Sequence, residues 1–345
     1  MTETTTRADV PIDWLLSQEE PWVVLNTRLD LIGQSEDDKE VKKSYDALKK
    51  DKRVAVLLDE VKVWPQDRRL GRAYDPKDSL WKLSLLADFG LKRDDARIAA
   101  VAKKVFDAQA TEPAPPGFLH GGFDHTKSWD KRPYICISHV MTYALARFGY
   151  LDDPRLQRAY DYINDWQRLD GGWHPTDACL PGGDREKDER CPFGTVNVLR
   201  AIGASPDLLD GKGVRRGVDF VLTCWERRQE PYRPVGFGMG STFNKLQCPF
   251  VQHQLLKTVD TLSVFPSAME DERYQDMLAE ATDKQSAEGL FTPEGVNKPY
   301  AEFDFGQKKK PSPWITFLIA RAHHRLAQYK SQRKGKRRAT GKTRS

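Results

Sequence analysis

The feature that most constrains this chain is a glutamine-glycine-aromatic element that recurs at near-constant spacing. Gln167, Gly171 and Trp173 share with Gln285, Gly289 and Phe291 the form Q-x3-G-x-aromatic. Gln109 leads to Gly121, Gly122 and Phe123, and Gln229 to Gly236, Phe237 and Gly238, each with an insertion between. The four glutamines lie 58, 62 and 56 residues apart. Self-similarity at such a period marks an array of supersecondary units, each burying its apolar face against the next.

What separates the glutamines defines the unit. Residues 80–89, 135–148, 193–202, 250–265 and 314–326 carry apolar side chains nearly all round a helix, the pattern of burial on several sides. The first four are each followed by a short break and then by an amphipathic, highly charged helix, at 94–109, 153–167, 207–229 and 271–285. One buried and one charged helix per unit predicts an all-α fold: an α/α toroid of tandem helical hairpins, about five plus a final helix. Residues 21–32 with 37–48 suit one further hairpin, followed by a short helix at 54–63. The expected organisation is a flexible 1–10, a single toroid domain at 11–329 (N-terminal helices 11–64, repeat array 78–329) and a disordered basic tail at 330–345.

Charge supports that division. The 345 residues carry a net charge of +5, but Lys330 to Ser345 holds eight Lys or Arg and no acid, leaving −3 for the remainder. Such a tail suits an anionic membrane surface, and nucleic acid is not the expected partner. No apolar run is long enough to span a bilayer, and the N-terminus lacks a signal-peptide core. The expectation is a cytoplasmic protein, peripheral to a membrane if the tail engages one. Five cysteines outside close pairs do not form a disulfide framework.

Gln167 to Trp173 resembles the QW repeat of squalene and oxidosqualene cyclases, and the two-helix period resembles both those enzymes and protein prenyltransferase β subunits. From about Trp14 to Leu326 the chain is similar to stand-alone prenyltransferase/squalene-cyclase repeat proteins of the terpenoid-cyclase superfamily. The resemblance implies that Gln167, Gly171, Trp173, Gln285, Gly289 and Phe291 are a structural packing device. It also implies an isoprenoid or other apolar small molecule as ligand.

Three inner helices begin with cysteine: Cys136, Cys191 and Cys248, 55 and 57 residues apart, so equivalent positions are expected at one mouth. A helix N-terminus favours the thiolate, and with His139, Cys179 and Asp188 these residues offer N, S and O ligands for zinc. Prenyltransferases hold zinc with a closely spaced Asp and Cys at an inner-helix start. Asp188 and Cys191 stand one residue too far apart for that pattern, and free cysteine also packs as a small hydrophobe. The Asp-x-Asp-Asp acid of class II cyclases is missing; Asp153 before Pro154 reads as a helix cap.

Trp173, Tyr134, Phe193, Phe237, Phe250 and Trp314, with Phe303 and Phe305 nearby, fall in or beside the loops feeding the inner helices. They suit an aromatic cavity lining, or equally the stacking that closes a ring. Lys245, Lys308 and Lys309 lie near the same helix starts and would suit a diphosphate. Two functions follow: an isoprenoid-processing enzyme of the prenyltransferase or cyclase kind acting in a central aromatic cavity, or a non-catalytic toroid that retains a lipid or protein. A glycan hydrolase on an α/α ring would need paired carboxylates, and the glutamine-glycine-aromatic elements argue against it.

Overall fold

A computed structural model describes residues 10–64, 75–109, 122–123, 135–173, 191–230 and 239–341, with the side chains of 135–137 and 336–341 excepted. The helices are α1 (Ile12–Leu16), α2 (Pro21–Asn26, continued by a π-helical turn Thr27–Ile32), α3 (Lys39–Lys50), α4 (Lys52–Val61), α5 (Ser79–Phe89), α6 (Ala96–Asp107), α7 (Ile135–Arg147), α8 (Pro154–Asp165), α9 (Pro192–Gly203), α10 (Lys212–Glu226), α11 (Leu255–Leu262), α12 (Pro266–Met269), α13 (Glu272–Thr282) and α14 (Pro313–Gly341). The described residues form no sheet; the one bridge joins Gln109 to Phe123.

The fold is all-α and its helices close a ring. Helices α5, α7, α9, α11 and α14 pack in that order, and α14 returns to α2, which meets α5. Every residue of α5 and α11 is buried, as is all of α9 but its last glycine. Helices α3, α6, α8, α10 and α13 form the outer layer, each burying one face. Five hairpins and a final helix result, as the period predicts.

The recurring element ties neighbouring units together through the backbone. Gln167 Nε2 donates to Gly171 O at 2.8 Å and to Gly213 O, in the first turn of α10, at 2.6 Å. Gln109 makes the equivalent bond to Arg155 O of α8 at 2.7 Å, and Gln285 holds Gly289 O at 3.0 Å. The backbone N–H of the aromatic then donates to a hydroxyl on the next inner helix: Phe123 to Ser138, Trp173 to Thr195 and Phe291 to Thr316, at 2.7, 3.1 and 3.1 Å. Each bond satisfies a polar group that burial would otherwise leave orphaned.

Gly171 has φ +92°, and a Cβ there would meet Arg216 O at 2.4 Å. The left-handed backbone and the collision with a main-chain atom together predict that Gly171→Ala costs about 2–4 kcal/mol. Urea denaturation checks this.

An Asp-x-Arg pair caps α4 and three helices of the outer layer, α6, α8 and α13. Asp51, Asp95, Asp153 and Asp271 each accept the backbone N–H two residues on, and the arginine at that position folds back on the same carboxylate. The cap satisfies an orphan donor and pairs the acid at once.

The structure departs from expectation at three places. The inner helix expected at 250–265 begins only at Leu255. Residues ahead of it are tied elsewhere: Leu246 N donates to Glu294 Oε2 at 2.8 Å and Leu255 N to Phe243 O at 2.9 Å. The charged helix expected at 207–229 breaks at Gly211 into a 3-10 turn (Pro206–Leu208) and α10. Helix α14 runs through Gly341 into the segment expected to be disordered. Lys, Arg, Gln and Ala favour a helix there, and Lys330 donates to Gln275 while Arg333 pairs with Glu270 at 3.1 Å.

Candidate functional site

The inner helices bring two polar systems into the ring. Near their C-terminal ends, Asp88 of α5 accepts from Arg200 of α9 and from Tyr143 of α7, the latter at 2.5 Å. Arg200 lies over the Tyr143 and Phe250 rings at 4.1 and 4.8 Å. Arg321 of α14 donates to Asp260 of α11 at 2.7 and 3.1 Å and to Asp30 of the π-helical turn at 2.9 Å. Arg325 stands 3.7 Å from Asp260 and 3.8 Å from Asp30. Six inner segments thus contribute to two buried ion-pair clusters, coupled through the charges of Arg200 and Asp260.

Its placement follows the repeat. Tyr143, Arg200 and Arg321 each stand five residues beyond the hydroxyl that receives the aromatic N–H of its unit. Burial alone would raise the Asp260 carboxyl, but Arg321, Arg325 and Arg200 hold it below the usual carboxylate range. Burial pushes the Tyr143 phenol up to about 12, so it serves as a donor at neutral pH.

The second system is the aromatic end of α14. Phe303 contacts Trp22, Phe89, Tyr300 and Phe305 at ring distances of 5.4, 5.8, 6.2 and 5.2 Å, and Phe89 meets Trp314 edge-on at 5.5 Å. Between Phe303 and Phe305 sits Asp304. Its Oδ2 accepts from Trp314 N at 2.9 Å and from the Ser312 hydroxyl, while Oδ1 is buried with no hydrogen-bond partner. Burial, with a smaller push from the Glu20 charge, raises the Asp304 carboxyl to about 6, against hydrogen bonds from the Ser312 hydroxyl and the Trp314 and Asp304 backbone N–H groups that lower it.

The residues singled out in the sequence fall into separate environments. Trp173 packs between helices, its indole N–H bonded to Ile163 O at 2.7 Å and its ring against Gly217. Phe193 lies with Trp81 at 6.2 Å, and the Lys257 ammonium sits 4.9 and 5.1 Å from those two rings. Phe250 covers Arg200 inside the ring, and Trp314 stacks on Phe317 at 5.2 Å. Lys245, Lys308 and Lys309 are exposed, the last two on a turn held by Gln307, which accepts from Lys309 and Lys310 N at 2.6 and 2.8 Å. Tyr134, Phe237, Cys179 and Asp188, and the side chain of Cys136, lie outside the described residues.

Among the ligand-type residues that are described, Cys191 accepts from Gly194 N of its own helix at 3.3 Å, and burial pushes its thiol up to about 11. Cys248 is buried and likewise raised. Burial thus favours the neutral thiol at both positions. His139 turns to the outer layer, its ring 5.3 Å from Tyr162 and its Nδ1 3.4 Å from the Thr142 hydroxyl. Among the described residues no group of three or more His, Cys, Asp or Glu converges to hold a metal.

Burial lowers His139 and His253 to about 3 each, with the Lys257 charge adding to the effect at His253. A histidine depressed on folding binds its proton more tightly when unfolded. Its contribution is intact above the unfolded value of about 6.5 and is lost as pH falls toward 3. His139→Phe, which keeps a ring against Tyr162, should flatten the fall in urea stability between pH 6.5 and 5.

No protein-family model matches the chain, and no curated protein sequence matches it. Among solved structures it is similar to the type II terpene cyclase MstE from Scytonema. A variant in complex with geranylgeranyl dihydroxybenzoate has 11% identity and a TM-score of 0.40 over 90% of this chain and 88% of that one. The apo enzyme has 12% identity and a TM-score of 0.40 over 85% and 83%. A variant with the product merosterolic acid A has 12% identity and a TM-score of 0.39 over 89% and 86%. At this distance the likeness assigns no residue and no reaction.

Proposed function

We propose that the ring is an isoprenoid-processing enzyme of the cyclase kind, with Asp304 as proton donor in place of an Asp-x-Asp-Asp motif. The observation that carries this reading is a carboxyl raised to about 6 whose Oδ1 is buried without a partner, on a residue flanked by the stacked Phe303 and Phe305. Protonation of a terminal alkene forms a C–H bond and leaves a tertiary carbocation. The π-electrons of the next alkene then close a C–C bond, and a final deprotonation returns the proton. Phe303, Phe305, Trp22 and Trp314 offer ring faces that stabilise such cations, and Asp304 is raised by the burial that keeps water away. The test is turnover of linear isoprenoid hydrocarbons, alcohols and diphosphates by wild type and Asp304→Asn, with loss in the variant expected.

A second reading, a toroid that retains an apolar ligand without turnover, is favoured by the segment ahead of α11. Cys248 and Phe250 are buried beside the central ion pairs, occupying space inside the ring. In that reading the exposed Lys330, Arg333 and Lys334 at the end of α14 would face an anionic membrane.

A further inference from the structure

The C-terminal mouth of the ring, away from the aromatic cluster, holds a small cavity of about 50 Å³. A single water needs about 10–15 Å³ by that measure, so the space suits one compact polar group and not an isoprenoid chain. Four arginines line it, Arg147, Arg200, Arg321 and Arg325, against one carboxylate, Asp260. Asp88 and Asp30 engage Arg200 and Arg321 without lining the cavity. Counted with those two, three carboxylates face the four guanidiniums, and Arg147 is the one of the four with no carboxylate at ion-pair distance among the described residues. Arg321 and Arg325 belong to the middle of α14 and meet no helix end of their own.

Two lining groups have donors with nothing to bind. The Nε of Arg147 is buried without a hydrogen-bond partner, and so is the hydroxyl of Thr261, a residue 4% exposed. Arg325, already beside Arg321, is held below its usual range by burial and by that like charge. Buried donors without a protein partner, one of them on a guanidinium with no ion-paired acid, are an arrangement that an oxyanion completes. Gly203, Ala204 and Val264 on the same wall are only half-buried, so a bound group can keep a substituent in solvent.

We propose that this mouth binds a phosphoryl group, with Arg147 and Thr261 as its dedicated donors and Arg325 and Arg321 completing the cradle. Several guanidiniums from separate helices match the three or four acceptor oxygens of a phosphoryl group, whereas a carboxylate is satisfied by one fork. The group is inorganic phosphate or the head of a phosphate monoester. The site stands apart from Asp304, and its fate does not depend on the reaction proposed there.

The test is calorimetry and thermal melting of the full chain in phosphate-free buffer at fixed ionic strength. The probes are inorganic phosphate, glycerol phosphate and acetate. Saturable binding of phosphate identifies the free ion as sufficient; binding of glycerol phosphate alone identifies a monoester head. Arg147→Gln is expected to weaken binding about tenfold or more and to leave the ligand-free chain folded, because among the described residues Arg147 makes no hydrogen bond or ion pair that the fold would lose, only a longer-range attraction to Asp30. Thr261→Val should weaken binding in the same direction and decides the matter should Arg147→Gln fail to fold. No saturable phosphoryl binding by wild type, equal binding of acetate, or undiminished affinity in both variants overturns the proposal.

Discussion

Asp260→Ala is expected to lower the stability of the chain by about 3–5 kcal/mol, the cost of leaving buried partners uncompensated. Arg321 would lose two hydrogen bonds of 2.7 and 3.1 Å, and Arg325 its nearer carboxylate. Both arginines would then share only Asp30. Asp260→Leu combined with Arg321→Met should recover much of the loss, since an apolar pair of similar volume avoids desolvating two charges. The sign with pH is fixed by the lowered Asp260 carboxyl. Its stabilisation is present above the unfolded value of about 3.9 and disappears as pH falls through the lower folded value. Denaturant unfolding at neutral pH decides the point: a loss below about 1 kcal/mol is what an exposed, solvated pair would give.

Asp304→Asn should reduce turnover of an isoprenoid by about 10²–10⁴-fold, the usual contribution of a positioned acid, with little change in stability. The amide oxygen can still accept from Trp314 N and the Ser312 hydroxyl, and the amide nitrogen takes the position of Oδ1, which has no partner to lose. With the carboxyl at about 6, its protonated fraction falls about tenfold for each pH unit above that value. Wild-type kcat/KM should therefore fall by about that factor between pH 7 and 8, and the residual activity of the variant should not. The same group acts on stability in the sense opposite to the histidines. A carboxyl raised on folding holds its proton more tightly in the native state, so its contribution grows as pH falls through about 6.

The ring was legible in the chain because two independent periods agree, the all-round apolar helices and the glutamine-glycine-aromatic spacing. The cap at Asp153 was legible too, but its recurrence as Asp-x-Arg at Asp51, Asp95 and Asp271 has a plain sequence signal that composition obscures. The charge network was not legible. Asp88, Arg200, Asp260 and Arg321 are scattered charges flanked by apolar residues, and Arg200 meets Asp88 across 112 residues of chain, Arg321 meets Asp260 across 61. Periodicity says that such a charge is buried and not what it pairs with. Their shared register, five residues past a Ser or Thr for both Arg200 and Arg321, was the available clue. Asp304 was hidden for a different reason: its signal, an acid between Phe303 and Phe305, is common, and its meaning depends on Trp22 and Phe89 arriving from elsewhere in the ring. The late start of α11 had no local warning: Cys248, Pro249 and Phe250 repeat the Cys191, Pro192 and Phe193 that open α9, and the apolar run that follows reads as helix.

Incubation of the purified chain with linear isoprenoids in deuterium oxide, followed by mass spectrometry of the extracted products, tests the central claim most directly. Protonation by Asp304 predicts a cyclised product carrying a deuteron at the carbon first attacked, formed by wild type and not by Asp304→Asn. A product without deuterium, or an isoprenoid retained and recovered unchanged, would contradict the account and leave the ring as a binder.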